Sequence, residues 1–210
     1  MKRWIDLQGG IALICPGDRQ LIKIAFDIDG VVLRSIEVIL GHINRSTGKS
    51  LRPDDLLAWD LEPLGLTVDT LRDSVNHMYD QNFIEPYDGA EVVLSEIHEY
   101  TKAPLLFITG RHDPSTARKQ LESLNWPAGI PEMIVTGGDR DKRLYLNETG
   151  ANFIIEDDEL HLRDYLATGV GVGLMVQPWN RNCQAPVTCR FDRWHDIRDW
   201  YLEGVCGRNS

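Results

Sequence analysis

Residues Leu21 to Val32 read LIKIAFDIDGVV. A mostly apolar run leads into two aspartates, Asp27 and Asp29, two positions apart and followed by Gly30. The run from Leu21 to Asp27 has the pattern of a strand buried on both faces, as strands of parallel sheets are. Residues i and i+2 of a strand share a face, so Asp27 and Asp29 are expected on one side. Like charges that close repel, and a bound cation is the simplest compensation.

Similar runs recur downstream. Ala103–Gly110 (APLLFITG), Glu132–Gly138 (EMIVTGG), Asn152–Asp158 (NFIIEDD) and Gly171–Gln177 (GVGLMVQ) predict four more strands. Helix-like segments lie between them. Asp88–Tyr100 carries Val92, Val93 and Ile97 at helical spacing. The next segment opens on Asp113 as N-cap with Pro114 in the first helical position. DKRLYLNETG stops at Gly150 and DELHLRDYLATG at Gly169, each a helix-stop signal. Alternation of this kind predicts an α/β fold with a Rossmann-like, mostly parallel sheet flanked by helices. The first twenty residues suggest an added hairpin or strand.

The alternation breaks once, after the first strand. SIEVILGHINRSTG, RPDDLLAWDL and TVDTLRDSVNHMYDQNF all have helical patterns with no convincing strand among them. This predicts a core of residues 1–32 and 86–210, and a small helical insert of residues 33–85. Leaving the carboxyl end of strand one, the insert would lie over the edge where such sheets bind ligands, as a lid.

The chain has 210 residues and a net charge of −10, from 22 basic and 32 acidic residues. No basic cluster is present to hold a nucleic-acid polymer. No apolar stretch approaches the ~20 residues of a membrane helix, and Ile11–Cys15 is too short for a signal-peptide core. Cys15, Cys183, Cys189 and Cys206 form no CxxC pair and read as reduced thiols of a cytoplasmic protein. A Cys183–Cys189 bridge, or a zinc site using His195, is a lesser alternative.

The reactive residues gather where the strands end. Asp27 and Asp29 close strand one; Thr109, Gly110 and Arg111 close strand two; Glu156, Asp157 and Asp158 close strand four; Lys142 follows strand three. In a parallel sheet these ends share one rim. A nucleophile, a second acid, a hydroxyl, a cation and a metal-binding carboxylate together suit phosphoryl transfer. DIDGV, FITGR, DKR and FIIEDD, in that order, resemble the ordered motifs of the haloacid-dehalogenase (HAD) superfamily, over roughly Leu21 to Trp200. The insert resembles that superfamily's helical C1 cap, and EPYDGA its return to the core.

The resemblance implies a role for each residue. Asp27 would be the nucleophile that becomes an aspartyl-phosphate, and Asp29 the acid/base. An acid at position 29 points to the phosphatase branch rather than the dehalogenases. Thr109 and the Gly110 amide would hold the phosphoryl group, with Lys142, or else Arg143, balancing its charge. Mg²⁺ would be held by Asp27, Asp157 and the Asp29 backbone carbonyl, with Asp158 and Glu156 competing for the place of Asp157. Arg111 would touch phosphate or form a surface pair.

Within the superfamily, LMVQPWNR and CRFDRWHDIRDW resemble the 5′(3′)-deoxyribonucleotidase type, where a Pro-aromatic-Asn-Arg turn is followed by a strand and a Trp-led helix. That resemblance implies a nucleoside monophosphate substrate. One departure concerns the base: Arg34 and Ser35 stand where members carry an acidic-aromatic pair that stacks on it. A stack of that kind is worth about 1–3 kcal/mol, and Trp59 would have to supply it from elsewhere. The alternatives are a sugar phosphate or other small metabolite, with Arg34 as an anion contact, and a non-catalytic HAD-like binding module.

Overall fold

The computed structural model describes residues 22–56, 64–125, 132–136 and 141–203. The first twenty residues, Leu21, Trp59, Cys15, Cys206 and the two glycines expected to end strand three lie outside the described residues.

Six strands form one sheet: β1 (Ile24–Phe26), β2 (Leu106–Thr109), β3 (Glu132–Val135), β4 (Phe153–Glu156), β5 (Gly171–Met175) and β6 (Cys189–Phe191). Their order is β3-β2-β1-β4-β5-β6 and every pairing is parallel. Ala25 stands in register with Leu106 on one side and Ile154 on the other. The chain therefore steps outward from β1 in one direction, then returns to lay β4 against the other side of β1. Such a reversal leaves a crevice at the carboxyl ends of the two strands, where ligands bind in sheets of this kind.

Both faces of the sheet are covered, which explains the near-continuous apolar runs. Ile24 and Phe26 point with Phe107, Phe153, Ile155 and Met175 into one core, beneath α3 (Ala90–Thr101) and α7 (Trp194–Arg198). Ala25 points with Leu106, Ile108, Ile154, Val172 and Leu174 into the other, beneath α5 (Lys142–Thr149) and α6 (Leu162–Ala167). The Trp-led helix α7 stacks Trp194 on Phe26, ring centroids 5.7 Å apart, while its indole N–H donates to Val31 O at 3.0 Å.

Helix signals hold where side chains and backbone satisfy the end groups. Asp113 accepts from the Ser115 amide at 2.8 Å ahead of α4 (Pro114–Glu122). Gly150 ends α5 in the left-handed conformation. Val92, placed by its spacing on the buried face of α3, is instead 59% exposed; Val93, Leu94 and Ile97 make that face.

Residues 33–85 leave and re-enter the core at one point. Leu33 bridges to Pro86 in antiparallel sense, the Arg34 amide donates to Glu85 O and the Tyr87 amide to Val32 O, both at 2.9 Å. Between these crossings, α1 (Ser35–Thr47) packs against α2 (Val68–Tyr79). Of the expected middle helix, the described part is a 3₁₀ turn at Pro53–Asp55 followed by Leu56; residues 57–63 lie outside the described residues. No helix among the described residues is long and apolar enough to cross a membrane. Cys183 and Cys189 are both buried, and no disulfide joins them to each other.

Candidate active site

Asp27 follows β1 directly, its amide still bonded to Ile155 O at 2.9 Å. The chain then leaves the sheet: the Val32 and Leu33 amides both donate back to Ile28 O, and Gly30 takes φ 75°. The strand alternation thus stops before it can pair Asp27 with Asp29. Each carboxylate also has a protein cation beside it, so a bound cation need not offset both charges alone. Lys142 Nζ lies 2.9 Å from Asp27 Oδ1, while Arg111 grips Asp29 side-on, Nε 2.7 Å from Oδ2 and Nη2 2.6 Å from Oδ1. Ser35, at the start of α1, also donates to Asp29 Oδ1. Burial alone would raise the Asp29 carboxyl, but Arg111 and Ser35 hold it below the usual carboxylate range.

Lys142 opens α5 and also reaches Glu156 Oε2 at 2.9 Å. Burial opposes its charge, yet Asp27 and Glu156 hold it protonated well above the ordinary lysine range. Glu156 ends β4 and is the acid that gains most from Lys142; against its burial, it is held below its usual range. Asp157 comes next in the chain. Its Oδ2 accepts from the Trp179 indole at 3.0 Å and its backbone carbonyl from Asn180 Nδ2 at 2.7 Å. Asp158 lines the cavity at this rim and caps the following turn, its Oδ1 accepting from the Leu160 amide at 2.9 Å.

Asp27, Glu156 and Asp157 form a buried cluster whose carboxylate oxygens lie within 4.8 Å of one another. Among the described residues Lys142 is the cation in contact with it, so three carboxylates face one ammonium. Burial first, then the neighbouring carboxylates, push Asp27 and Asp157 well above the usual carboxylate range, Lys142 opposing in both cases. An all-oxygen, charge-excess set of this kind fits a hard divalent cation such as Mg²⁺. Gly30 is part of the fit: a Cβ there would stand 2.1 Å from Asp157 Oδ2.

Thr109 is buried at the end of β2 and Gly110 is exposed at the rim. The Thr136 amide and hydroxyl both donate to Thr109 O, at 2.8 and 2.7 Å, which fixes this strand end. Thr109, Gly110, Asp27, Asp29, Lys142 and Asp157 all line one cavity of about 500 Å³. Arg143 lines it too but is taken up by Asp141, with Asp164 at 3.9 Å. Tyr79, the last residue of α2, lines it from the insert.

Two arginines differ from their sequence reading. Arg111 is 1% exposed and bound to Asp29, so it forms no surface pair, though it also lines the cavity. Arg34 spends its donors on Pro86 O, Glu37 and Asp88 and lies over the Tyr87 ring, 4.8 Å from its centroid. It braces the neck of the insert and is not among the residues that line the cavity. Residues that sequence reasoning passed over as site residues also appear. Gln177 donates to Gly30 O at 2.6 Å, and Trp179 and Asn180 hold Asp157. All three belong to the QPWN turn, a Pro-initiated turn at the end of β5, so their signal lay in a motif read for kinship alone.

No family model matches the chain, and no curated protein matches it. Solved structures do. A haloacid dehalogenase-like family hydrolase from Streptococcus pneumoniae superposes with a TM-score of 0.62 at 16% identity, over 87% of this chain and 99% of that one. A HAD family hydrolase from Deinococcus radiodurans, with bound phosphate and sodium, gives 0.57 at 16%, over 86% and 94%. CbbY from Rhodobacter sphaeroides, in complex with xylulose-1,5-bisphosphate, gives 0.56 at 15%, over 83% and 95%. At these identities the likeness is one of architecture: this chain has the haloacid dehalogenase-like α/β fold.

Proposed function

We propose that the protein is a Mg²⁺-dependent phosphomonoester hydrolase acting on a small phosphorylated metabolite, with α1 and α2 as a cap. The observation that carries this reading is Asp27 set against Lys142 and two more buried carboxylates, beside Thr109 and Gly110 at the carboxyl end of the sheet.

In the first half-reaction an Asp27 carboxylate oxygen attacks phosphorus. The Asp27 O–P bond forms and the bond to the leaving oxygen breaks; Asp29, ionised beside Arg111 in the empty site, takes a proton from solvent when the anionic substrate binds and passes it to that oxygen. In the second, Asp29 takes a proton from water as the water oxygen attacks phosphorus, and the Asp27 O–P bond breaks to release phosphate. Thr109 Oγ1 and the Gly110 amide hold the phosphoryl oxygens, and Lys142 balances their charge. Asp27, Asp157 and the Asp29 backbone carbonyl would hold Mg²⁺, with Glu156 in the same cluster and paired with Lys142. When bound, Mg²⁺ withdraws charge from the phosphoryl oxygens and favours the ionised form of Asp27.

A sugar phosphate or similar metabolite is the better-supported substrate. Two proteins of this architecture hold phosphate and xylulose-1,5-bisphosphate. For a nucleoside monophosphate a stacking aromatic is wanted. Tyr79 lines the cavity from the insert, but the Arg111 guanidinium lies 5.6 Å from its ring centroid. The test is phosphate release from sugar phosphates, nucleoside 3′- and 5′-monophosphates and p-nitrophenyl phosphate, with Mg²⁺ or with EDTA. Turnover that needs both Mg²⁺ and Asp27, and is absent in Asp27→Asn, is expected. Turnover that survives Asp27→Asn would refute the reading, as would none at all.

A further inference from the structure

We infer that Arg111 and Gln120 form a relay that positions Asp29 and ties its position to the end of α2. The inference rests on the phosphatase reading above and adds two residues to it.

Arg111 presents its planar fork to Asp29, one N–H to each carboxylate oxygen, so the carboxylate can neither rotate nor tilt without losing a bond. With Ser35 on Oδ1 as well, three of the roughly four acceptor positions of Asp29 are filled, and the remaining one is on Oδ2. The third nitrogen of Arg111, Nη1, donates to Gln120 Oε1. Gln120 is fully buried on α4, and its amide nitrogen turns the other way. Nε2 donates to Met78 O at 3.1 Å and Gln81 O at 2.8 Å, with Tyr79 O at 3.4 Å. Those carbonyls end α2, where a helix leaves acceptors unsatisfied. Tyr79, in the same turn, lays its ring by the Arg111 guanidinium and faces the cavity.

A buried charged and amide chain of this length is a poor way to gain stability, since apolar side chains of similar volume do as well or better. What it supplies is orientation. It joins an insert helix to Asp29 through two side chains, neither of which needs to touch phosphate.

The experiment compares phenyl phosphate with p-nitrophenyl phosphate, similar in shape but differing in how much the leaving oxygen needs a proton. A lysine at position 111 keeps the charge but cannot grip both oxygens. Arg111→Lys is expected to lower kcat/KM for phenyl phosphate by about 10²-fold, and for p-nitrophenyl phosphate by less than about tenfold. KM should change little for either. Gln120→Met should show the same selectivity at smaller amplitude, with a melting temperature that confirms folding. Equal losses on both esters with raised KM would make Arg111 a phosphate contact and overturn the inference. Equal losses with unchanged KM would reduce the relay to scaffold and overturn it too. If the wild-type protein hydrolyses neither ester, or Asp27→Asn still does, the phosphatase reading itself fails and takes the relay with it.

Discussion

Replacing Gly30 by alanine tests the acidic cluster through a residue that carries no functional group. The new Cβ would lie 2.1 Å from Asp157 Oδ2 and 2.5 Å from its Cγ. Ordinary contact begins near 3.4 Å, so the Asp157 carboxylate must retreat by about 1.3 Å. Retreat is obstructed, because Trp179 and Asn180 hold both its side chain and its carbonyl. A separate cost comes from the backbone: φ of 75° is left-handed, and a non-glycine residue there costs about 1–2 kcal/mol. For a chain of this size that lowers the melting temperature by roughly 2–8 °C. Misplacing a site group by about 1 Å can cost 10²-fold in rate. Gly30→Ala should therefore remain folded, lose about 10²-fold in kcat/KM, and need more Mg²⁺ for half-maximal activity. The assay is phosphate release across a Mg²⁺ titration, with thermal melting alongside. A folded variant with wild-type Mg²⁺ dependence and wild-type rate would refute the assignment of Asp157 to the metal.

Other outcomes follow from the same charges. Asp27 and Asp157 have raised carboxyl values in the folded state, so between about pH 3.9 and those values the folded protein binds more protons than the unfolded chain. Without a divalent ion, stability should fall as pH rises through that window. Mg²⁺ at a hundred times its dissociation constant adds about 2.7 kcal/mol, or roughly 5–10 °C in melting temperature. The gain should be larger at about pH 7.5 than at about pH 5; equal gains at both would separate the cluster from the metal. Trp179→Phe removes the donor to Asp157 and should weaken Mg²⁺ about 10–100-fold with little change in melting temperature; an unchanged Mg²⁺ titration would count against that role. Lys142→Met leaves Glu156 and Asp27 without their cation and should cost about 3–5 kcal/mol, read by denaturant unfolding. A loss below about 1 kcal/mol would show that the carboxylates simply take up protons.

The sheet was legible because its strands are buried on both faces, which writes an apolar run into each of β1, β2, β4 and β5. Their carboxyl ends were legible too, since aspartate, threonine and lysine contrast with the runs they follow. Arg111 was not. An arginine next to a rim glycine looks like a phosphate contact or a surface residue, and its pairing with Asp29, remote in the chain, does not show in the local sequence. The i, i+2 argument brought Asp27 and Asp29 to one cavity for the wrong reason, since β1 ends at Phe26 and a turn folded back on Ile28, not the strand pleat, places Asp29. Arg34 was assigned to an anion because its real partners, Pro86 and Asp88, come from the far side of the insert. For both arginines the missing information was a pairing between distant segments.

The order of strands in the sheet also bears on how the chain is made. β1 is translated early, yet its neighbours in the sheet arrive only with Leu106 and Ile154. Until then its backbone groups have no ladder, and pairings across such separations form slowly. Helices α1 and α2 are local and adjacent, and can associate while β2 is still being synthesised. The acidic cluster needs Glu156 and Asp157 from the end of β4, and its supports need the turn at Trp179. A nascent chain therefore has α1 and α2 in place before the last residues of the acidic cluster have been made.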